Sequence, residues 1–471
     1  MKTIKSVFVN GMFIEPHGTH VVKIKSPLDG EEIAQIIYAD EHDTSLAIAA
    51  AKAALPEFAA STKAERIAHL NRISVEIESR IDDLIKATIL EYGAPNERAK
   101  WANLIAATTF ANQAKLLEDY AFTKQVNEST VVMEPIGVAA LFTPWNAVAG
   151  SIAIKVAAAI AAGCTVILKP SESGAWQAQI IMECIAAAGL PAGVVNMVNG
   201  DGAVITKPIM ESADVTKISF TGSTVVGKLL ARQAVDTMKR VTLELGGKSA
   251  NIILDDADLK KAIPMALQAA FMNNGQACIA GSRLLVPEAK IDDVKRLLLQ
   301  EAAQFVVGDP SKAEVKIGPV ASQKQYDRIQ QYIETGINEG AELLAGGLGQ
   351  PAGLKKGYYV KPTIFTGVRN DMMVAREEIF GPVLSVITYR SEDEAIKIAN
   401  DSEYGLMAYV SSADESRARK VALQLQAGRV LINTLRHDPM APFGGFKNSG
   451  IGRENGIKGL EEFLEPKTII K

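Results

Sequence analysis

Short apolar strands alternate with alanine-rich helices in the middle of the chain, and this alternation limits the possible folds more than any other feature of the sequence. Strands are predicted over Val138–Phe142 and Thr165–Leu168, with a helix over Ser151–Ala162 between them. The series continues with helix Trp176–Ala188, strands Val194–Val198 and Lys217–Phe220, helix Thr224–Ala234 and strand Arg240–Leu245. Apolar strands joined by helices form parallel sheets that are covered on both faces. The pattern therefore predicts a doubly wound, Rossmann-type α/β domain.

A second alternating series follows Gly247 and predicts a second α/β unit of similar size. Its predicted helices are Leu259–Met272, Ile291–Phe305, Ser322–Glu339, Glu392–Ala399 and Glu415–Leu425. Its predicted strands are Arg283–Val286, Val383–Thr388, Ala408–Ser411 and Arg429–Asn433. Ahead of the first series, helical spacing of apolar residues predicts helices over Thr44–Phe58, Lys63–Gly93 and Asn96–Tyr120.

Two strand-like segments, Asn127–Met133 and Glu461–Ile470, have no partner nearby in the sequence. Unpaired strand edges invite association unless another element or chain covers them. We therefore expect these segments to take part in a homodimer or homotetramer.

The charge and cysteine content exclude several classes of protein. The 50 Lys and Arg residues against 54 Asp and Glu give a formal net charge of −4, so no basic field for nucleic acid or an acidic membrane is expected. The uncharged run Val156–Leu168 is shorter than the about 20 residues of a membrane span, and the N-terminus does not fit a targeting signal. Three cysteines are too few for a disulfide framework and indicate a reducing, cytoplasmic location. Five histidines outside any His/Cys cluster offer no metal site.

The three cysteines lie in different surroundings. Cys164 at a helix–strand junction and Cys184 inside an apolar helix are predicted to be small buried hydrophobic residues. Cys278 lies in a loop rich in glycine and amide side chains, where backbone N–H groups would lower its pKa. By itself this loop leaves open whether Cys278 is a nucleophile or an ordinary loop residue.

Two polar residues directly follow predicted strands. Glu244 ends an apolar strand, where burial would raise its pKa and make it a general base; the alternative is an ion pair with Lys248 or another cation. Asn146 follows Val138–Phe142 and is either an amide donor to an oxyanion or a cap for the next helix.

Evidence for a dinucleotide site is distributed over two strand ends, and the sequence has no Gly-x-Gly-x-x-Gly. Lys169 and Glu172 follow one strand and are suited to bind ribose hydroxyls, and the acidic Glu172 would repel a 2′-phosphate. Gly222 and Ser223 begin a helix whose free N–H groups would receive a phosphate. NAD is therefore the expected cofactor, with NADP less favoured.

Seven segments, in this order, resemble the successive motifs of the aldehyde dehydrogenase superfamily, and the match spans essentially the whole chain. They are Pro144-Trp145-Asn146, Lys169-Pro170-Ser171-Glu172, Phe220-Thr221-Gly222-Ser223, Glu244-Leu245-Gly246-Gly247-Lys248, Gly275-Gln276-Ala277-Cys278, Glu377-Glu378-Ile379-Phe380-Gly381-Pro382-Val383 and Pro442-Phe443-Gly444-Gly445-Phe446-Lys447-Asn448-Ser449-Gly450. One departure is Thr206, where many relatives carry a glycine.

The resemblance implies NAD-dependent oxidation of an aldehyde to a carboxylic acid, without a metal, through a thiohemiacetal and a thioester. It implies that Cys278 is the nucleophile, Glu244 the general base and Asn146 the oxyanion donor, with Lys155 near the active site. The cofactor residues that it implies are Thr143, Pro144, Trp145, Asn146, Lys169, Ser171, Glu172, Gly202, Gly222, Ser223, Gly227, Leu245, Glu378 and Phe380.

The resemblance also implies three structural parts. These are an NAD-binding domain (residues 1–118 and 136–245), a catalytic domain (246–440) and a bridging or oligomerisation element (119–135 and 441–471). Residues that would line the aldehyde channel are Ala147, Val148, Ala149, Ser151, Ala277, Ile279 and the loop Leu435–Met440. In that loop Arg436 or His437 either contacts a substrate carboxylate or phosphate or is solvated.

Three other functions are open to a chain of this fold. CoA-acylating semialdehyde dehydrogenases of the same fold generally lack a base at the position that Glu244 occupies here, so the presence of Glu244 argues against this function. A non-catalytic protein on this fold would not need Cys278, Glu244 and Asn146 together. Ester hydrolysis through the same thiol is conceivable as a side activity.

Overall fold

Fifteen α-helices are found in the computed structural model, which describes residues 2–470. They are α1 (Glu41–Ala59), α2 (Lys63–Ser79), α3 (Ile81–Tyr92), α4 (Asn96–Asp119), α5 (Val148–Ala162), α6 (Ala175–Ala187), α7 (Gly202–Glu211), α8 (Thr224–Ala234), α9 (Leu259–Phe271), α10 (Ile291–Ala302), α11 (Gln323–Asn338), α12 (Met373–Arg376), α13 (Glu392–Asn400), α14 (Glu415–Ala422) and α15 (Gly456–Glu461). Within residues 2–470, none of these helices has the length and apolarity that crossing a membrane requires.

Strands alternate with these helices over most of the chain. They are β1 (Lys2–Ile4), β2 (Val7–Val9), β3 (Met12–Ile14), β4 (Val21–Lys25), β5 (Glu32–Ile37), β6 (Thr123–Val126), β7 (Ser129–Pro135), β8 (Val138–Phe142), β9 (Thr165–Lys169), β10 (Val195–Val198), β11 (Val215–Thr221), β12 (Arg240–Glu244), β13 (Ala250–Ile253), β14 (Arg283–Pro287), β15 (Glu342–Ala345), β16 (Thr363–Thr366), β17 (Val383–Tyr389), β18 (Tyr404–Gly405), β19 (Met407–Ser411), β20 (Arg429–Ile432), β21 (Phe446–Lys447), β22 (Gly450–Ile451) and β23 (Leu464–Ile470).

The first large sheet has eight strands in the order β22-β12-β11-β8-β9-β10-β2-β3. The five central strands, β12 to β10 in that order, are parallel, and the outer strands run antiparallel to their neighbours. From β8 the chain builds outward first through β9 and β10 and then, on the other side, through β11 and β12. The order therefore reverses between β8 and β11, which is where doubly wound sheets bind ligands.

The second large sheet has seven strands in the order β15-β16-β17-β14-β13-β19-β20, and only β15 is antiparallel to its neighbour. Separate buried apolar clusters cover this sheet, with Ile329, Phe365 and Val383 in one and Leu267, Leu284 and Leu298 in another. The two predicted α/β units therefore each have a sheet and a core of their own.

A three-stranded antiparallel sheet joins the two strand-like segments that lacked a partner in the sequence. Strand β23 pairs with β7 along its whole length, from Leu464 opposite Pro135 to Ile470 opposite Ser129. Strand β6 forms the other edge and all four of its residues are exposed. The short β22, from the same C-terminal region, instead pairs with β12 through Gly450 and Glu244.

The predicted bounds differ from the observed ones by three residues or fewer for most elements. The prediction of continuous helix over Lys63–Gly93 was wrong, because the backbone leaves helical geometry at Arg80 (φ −112°, ψ 17°) and α3 begins there anew. Strands β13, β15 and β16 were not predicted. Each has only four residues. Asn251 interrupts the apolar pattern of β13, and Thr363 borders the apolar pattern of β16.

Candidate active site

A cavity of about 1060 Å³ lies at the carboxyl ends of β8, β9, β11 and β12, where the strand order reverses. Most residues that the sequence singled out line it. They are Thr143, Pro144, Trp145, Asn146, Lys169, Ser171, Glu172, Gly202, Gly222, Ser223, Glu244, Leu245, Cys278, Glu378 and Phe380. The cavity thus brings together side chains that lie far apart in the sequence, from Thr143 to Phe380.

Cys278 is a half-buried free thiol in the loop between α9 and β14. Asn273 and Asn274 turn the chain into this loop with left-handed φ angles of 56° and 59°. Burial, followed by the nearby carboxyl groups of Glu378 and Glu244, raises the pKa of the Cys278 thiol to about 12. The expectation of a lowered pKa was therefore wrong, because the backbone N–H of Cys278 offsets only part of these effects.

Glu244 ends β12 and is only 2% exposed, yet neither of its carboxyl oxygens has a hydrogen-bond partner among residues 2–470. Burial raises its pKa well above the usual value, and the carboxyl group of Glu454 adds to this effect. Lys248 does not pair with it. The Lys248 Nζ is itself buried with no hydrogen-bond partner in the described part of the chain, and burial lowers the pKa of Lys248 to about 7. The structure thus excludes the Glu244–Lys248 ion pair and leaves a carboxyl group that is free to take a proton.

Asn146 lies in the loop between β8 and α5 and contacts the α9–β14 loop that carries Cys278. Its Nδ2 donates to the Gln276 carbonyl at 2.9 Å, and Asn273 Nδ2 donates to the Asn146 carbonyl at 3.0 Å. Helix α5 begins after Ala147 and has no side-chain cap, so Asn146 does not cap it. Since each amide nitrogen carries two protons, Asn146 retains one N–H for a ligand.

Lys155 lies behind the cavity rather than in its lining. Its Nζ is 2.5 Å from Glu454 Oε1 and 2.9 Å from Ser219 Oγ, and the side chain is 1% exposed. The positive charge of Lys155 partly offsets the rise in the Glu244 pKa. Lys155 therefore acts on the carboxyl group of Glu244 from a distance.

Several features of the cavity suit a dinucleotide. Lys169 Nζ lies 2.5 Å from Glu172 Oε1, and Gly202 faces this pair, since a Cβ there would be 3.8 Å from Glu172. Ser223 caps α8 by accepting from Val226 N–H, which leaves other N–H groups of the first turn free for a phosphate. The Thr143 hydroxyl is buried in the cavity wall and has no hydrogen-bond partner from residues 2–470.

The far end of the cavity is framed by Glu378 and Phe380. Glu378 Oε1 accepts from Gly247 N–H at 3.0 Å, and burial raises the pKa of Glu378 to about 7. A Cβ at Gly246 would lie 2.5 Å from Glu378 Oε2, so glycine is required for this approach. Phe380 meets the Trp145 ring edge-on at 5.3 Å between centroids.

Gly227 does not line the cavity. It lies inside α8, where a Cβ would be 2.4 Å from the Leu245 side chain. Its role in the fold is therefore to let α8 approach Leu245, which does line the cavity. Thr206, the departure from the family pattern, is a lining residue.

A second cavity of about 160 Å³ adjoins the first, and Trp145 and Asn146 line both. Ala147, Val148, Ala149 and Ser151, four of the residues that the resemblance assigns to an aldehyde channel, line it. Ala277, Ile279 and the Leu435–Met440 loop are absent from its lining, and Ile279 and Leu435 instead pack in a small apolar cluster. Residues that the sequence did not suggest include Tyr92, Arg98 and Trp101, which come from α3 and α4 and carry no recognisable motif.

Comparison with known proteins places the chain in one family. The family model described as "Aldehyde dehydrogenase family" matches residues 13–469. A 3-succinoylsemialdehyde-pyridine dehydrogenase of a Pseudomonas species is 44% identical over 100% of this chain and 99% of its own length.

Solved structures agree with this assignment. A mutant of aldehyde dehydrogenase C from Pseudomonas syringae, in complex with NAD⁺ and octanal, has a TM-score of 0.98 at 42% identity, with 99% of this chain and 96% of that chain covered. A Mycobacterium tuberculosis aldehyde dehydrogenase in complex with NAD⁺ has a TM-score of 0.97 at 36% identity, with 100% and 98% covered. The chain therefore belongs to the aldehyde dehydrogenase family.

Proposed function

We propose that this NAD-dependent aldehyde dehydrogenase uses Cys278 as nucleophile, Glu244 as general base and Asn146 as oxyanion donor. The observation that carries the proposal is that one cavity holds a free thiol, an unpaired buried carboxyl group and an amide with a spare N–H. Each of these three groups meets one chemical requirement of aldehyde oxidation.

In the first step the Cys278 thiol releases its proton to solvent, and the resulting thiolate adds to the aldehyde carbon. A carbon–sulfur bond forms while the carbonyl π bond breaks, and its electron pair becomes the charge of an oxyanion. Asn146 Nδ2 and the Cys278 backbone N–H are placed to donate to this oxygen. Each such donor stabilises the transition state by roughly 3 kcal/mol.

The second step converts the thiohemiacetal into a thioester, and the third hydrolyses it. When NAD is bound, its nicotinamide accepts the hydride that leaves the substrate carbon. Glu244 then takes a proton from water as the water oxygen attacks the thioester carbon, and the carbon–sulfur bond breaks to release the acid and free Cys278. The raised pKa of Glu244 suits this work, because a general base is most effective when its pKa lies near the working pH.

NAD would be held by residues from both sides of the cavity. Lys169 and Glu172 would bind the adenosine ribose, the α8 N-terminus at Ser223 a phosphate, and Glu378 the nicotinamide ribose. Phe380 would pack against the nicotinamide.

Replacement of Glu172 by glutamine should lower the preference for NAD over NADP. Without the carboxylate, Lys169 is free to attract a 2′-phosphate and the like-charge repulsion disappears, so the ratio of kcat/KM for NAD to that for NADP should fall by about tenfold or more. Glu172→Asp keeps the charge and is the matched control. A wild-type enzyme that prefers NADP, or an unchanged ratio in Glu172→Gln, contradicts this role.

The retained Glu244 favours water over CoA as the acceptor of the acyl group, because the proposed general base would activate water. A non-catalytic role leaves the joint presence of Cys278, Glu244 and Asn146 in one cavity without explanation.

We also propose that the chain works as a homodimer or homotetramer in the cytoplasm. Residues 1–118 and 136–245 would form the NAD-binding domain, 246–440 the catalytic domain, and 119–135 with 441–471 the bridging element. The exposed edge strand β6 and the exposed Ile469 and Ile470 of β23 support assembly, and three free cysteines suit a reducing compartment. Sedimentation velocity should give the mass of two or four chains; a monomer at all concentrations would contradict assembly.

A further inference from the structure

Among the described residues 2–470, Arg98 is the only charged one that lines the second cavity. It belongs to the first turn of α4, and the other walls are apolar or neutral, among them Trp101, Ile105 and Val148. Asn146 is shared with the main cavity that holds Cys278, so an aldehyde whose carbonyl group meets Asn146 would extend its tail into this space.

The Arg98 guanidinium group is positioned by two neighbouring side chains, but most of its N–H donors form no hydrogen bond within residues 2–470. The Arg98 Nε donates to Asn273 Oδ1 at 3.4 Å, and the Arg98 Cζ lies 4.3 Å from the centroid of the Trp101 ring. Between residues 2 and 470, no carboxylate forms a salt bridge with Arg98, and its two terminal nitrogens have no hydrogen-bond partner. Four N–H donors thus remain for a ligand.

Within residues 2–470, no carboxyl group offsets the effect of burial on the pKa of Arg98. Burial lowers the pKa of Arg98, and the group that opposes this effect is the Tyr92 hydroxyl rather than a carboxyl group. His437 lies close enough for the Arg98 charge to lower its pKa. A half-buried cation with neutral or positive neighbours is costly unless a bound anion completes it.

The hydrogen bond to Asn273 also relates Arg98 to the reacting end of the site. Asn273 Oδ1 accepts from Arg98, while its Nδ2 donates to the carbonyl groups of Asn146 and Gln276 at 3.0 and 3.1 Å. One side chain therefore connects the unpaired cation with the residue proposed as oxyanion donor.

We propose that Arg98 is a specificity-determining residue that binds the terminal carboxylate of an aldehyde substrate. The inference rests on the proposed function, because it takes Cys278 and Asn146 as the reacting end. The favoured substrates are then semialdehydes of dicarboxylic acids. A planar guanidinium group can donate two parallel hydrogen bonds to a carboxylate, and Trp101 holds that plane in place.

The test compares matched aldehydes of four, five and six carbons that end either in a carboxylate or in a methyl group. Wild-type kcat/KM should favour the carboxylate by about tenfold or more at one of these lengths. Arg98→Gln should lower kcat/KM for that substrate by about 10- to 100-fold, mainly through KM, and change the methyl-ended aldehyde by about threefold or less. Arg98→Lys should restore part of the loss.

Lys100→Gln is the matched control, because it removes the same charge from an exposed position of the same helix. It should leave both substrates unaffected. Arg98→Glu should reverse the preference toward an aldehyde that ends in a quaternary ammonium group. Binding of the carboxylated aldehyde to Cys278→Ala with NAD, measured by calorimetry, should weaken when Arg98→Gln is added, and this readout needs no turnover.

Equal rates for carboxylated and methyl-ended aldehydes at every length would overturn the inference. So would an equal loss for both kinds of substrate in Arg98→Gln, since this would indicate a structural role. If the methyl-ended aldehydes are oxidised and Arg98→Gln has no selective effect, the assignment of Arg98 fails while the proposed function stands. If no aldehyde is oxidised, the proposed function itself fails.

Discussion

Replacement of Cys278 by alanine should abolish aldehyde-dependent NADH formation, with a loss in kcat of about 10⁴-fold or more. Without the thiol, no covalent adduct forms, and neither Asn146 nor Glu244 can supply a nucleophile of comparable strength. The rate at which NADH absorbance increases measures this loss. The volume that alanine leaves empty opens into the cavity rather than the core, so the fold should be retained.

Cys184→Ala is the matched control for this prediction. Cys184 is buried in α6, where burial raises the pKa of its thiol to about 12, and it does not line the cavity. This variant should keep wild-type kcat. NADH formation that persists in Cys278→Ala would refute the nucleophile assignment.

Alkylation gives a second readout for the same residue. A thiol with a pKa of about 12 is almost fully protonated at neutral pH, so Cys278 should react slowly with iodoacetamide in the free enzyme. The cationic nicotinamide ring of NAD should favour the thiolate by charge attraction and accelerate the reaction. Neutral NADH rings lack this charge and should give no acceleration of that kind.

Replacement of Glu244 by glutamine should leave the oxidation step intact and strongly slow hydrolysis of the thioester. The amide has the size of the carboxyl group but cannot accept a proton from water, so hydrolysis of the thioester should slow by about 10²- to 10⁴-fold. The oxidation step does not need Glu244. Stopped-flow absorbance should therefore show a burst of about one NADH per active site followed by a slow steady state, and mass spectrometry should detect the acyl adduct on Cys278.

Hydroxylamine provides the control for this variant. It is a stronger nucleophile than water and needs no general base, so it should restore turnover of Glu244→Gln. An undiminished steady-state rate without hydroxylamine and without accumulated thioester would contradict the role of Glu244.

The pH dependence should follow from the same residue. Because the pKa of Glu244 is raised well above its usual value, the base form is lost as the pH falls through that raised value. Wild-type kcat should therefore begin to fall, as the pH is lowered, at a pH well above 4.5. In Glu244→Gln, the pH profile of kcat should lack this decrease.

The strand ends of the first sheet could be predicted because their sequence signal is local. Buried strands such as β8 and β9 are runs of apolar residues, and the polar residue after each run falls at the edge where parallel strands present their carboxyl ends. The positions of Asn146, Lys169 and Glu244 on the cavity follow from this rule alone.

The wall made by α3 and α4 could not be predicted in the same way. Tyr92, Arg98 and Trp101 are ordinary helix residues in sequence, and the packing of α4 against α5 brings Arg98 and Trp101 near Asn146. The thiol pKa was misjudged for a related reason. The pKa of Cys278 depends on its burial and on the charges of Glu378 and Glu244. These two residues lie 100 and 34 positions from Cys278 in the sequence, so the residues around Cys278 in the sequence do not reveal their effect.

The pairing of β22 with β12 has a consequence for how the enzyme is made. Gly450 lies opposite Glu244 in that ladder, and Glu454 on the same segment supplies the partner of Lys155. The surroundings of the proposed base Glu244 are thus completed by a segment that is synthesised well after both Glu244 and Cys278. A truncated chain that ends before residue 450 would retain the proposed nucleophile Cys278 but lose the strand and the ion pair that surround the proposed base.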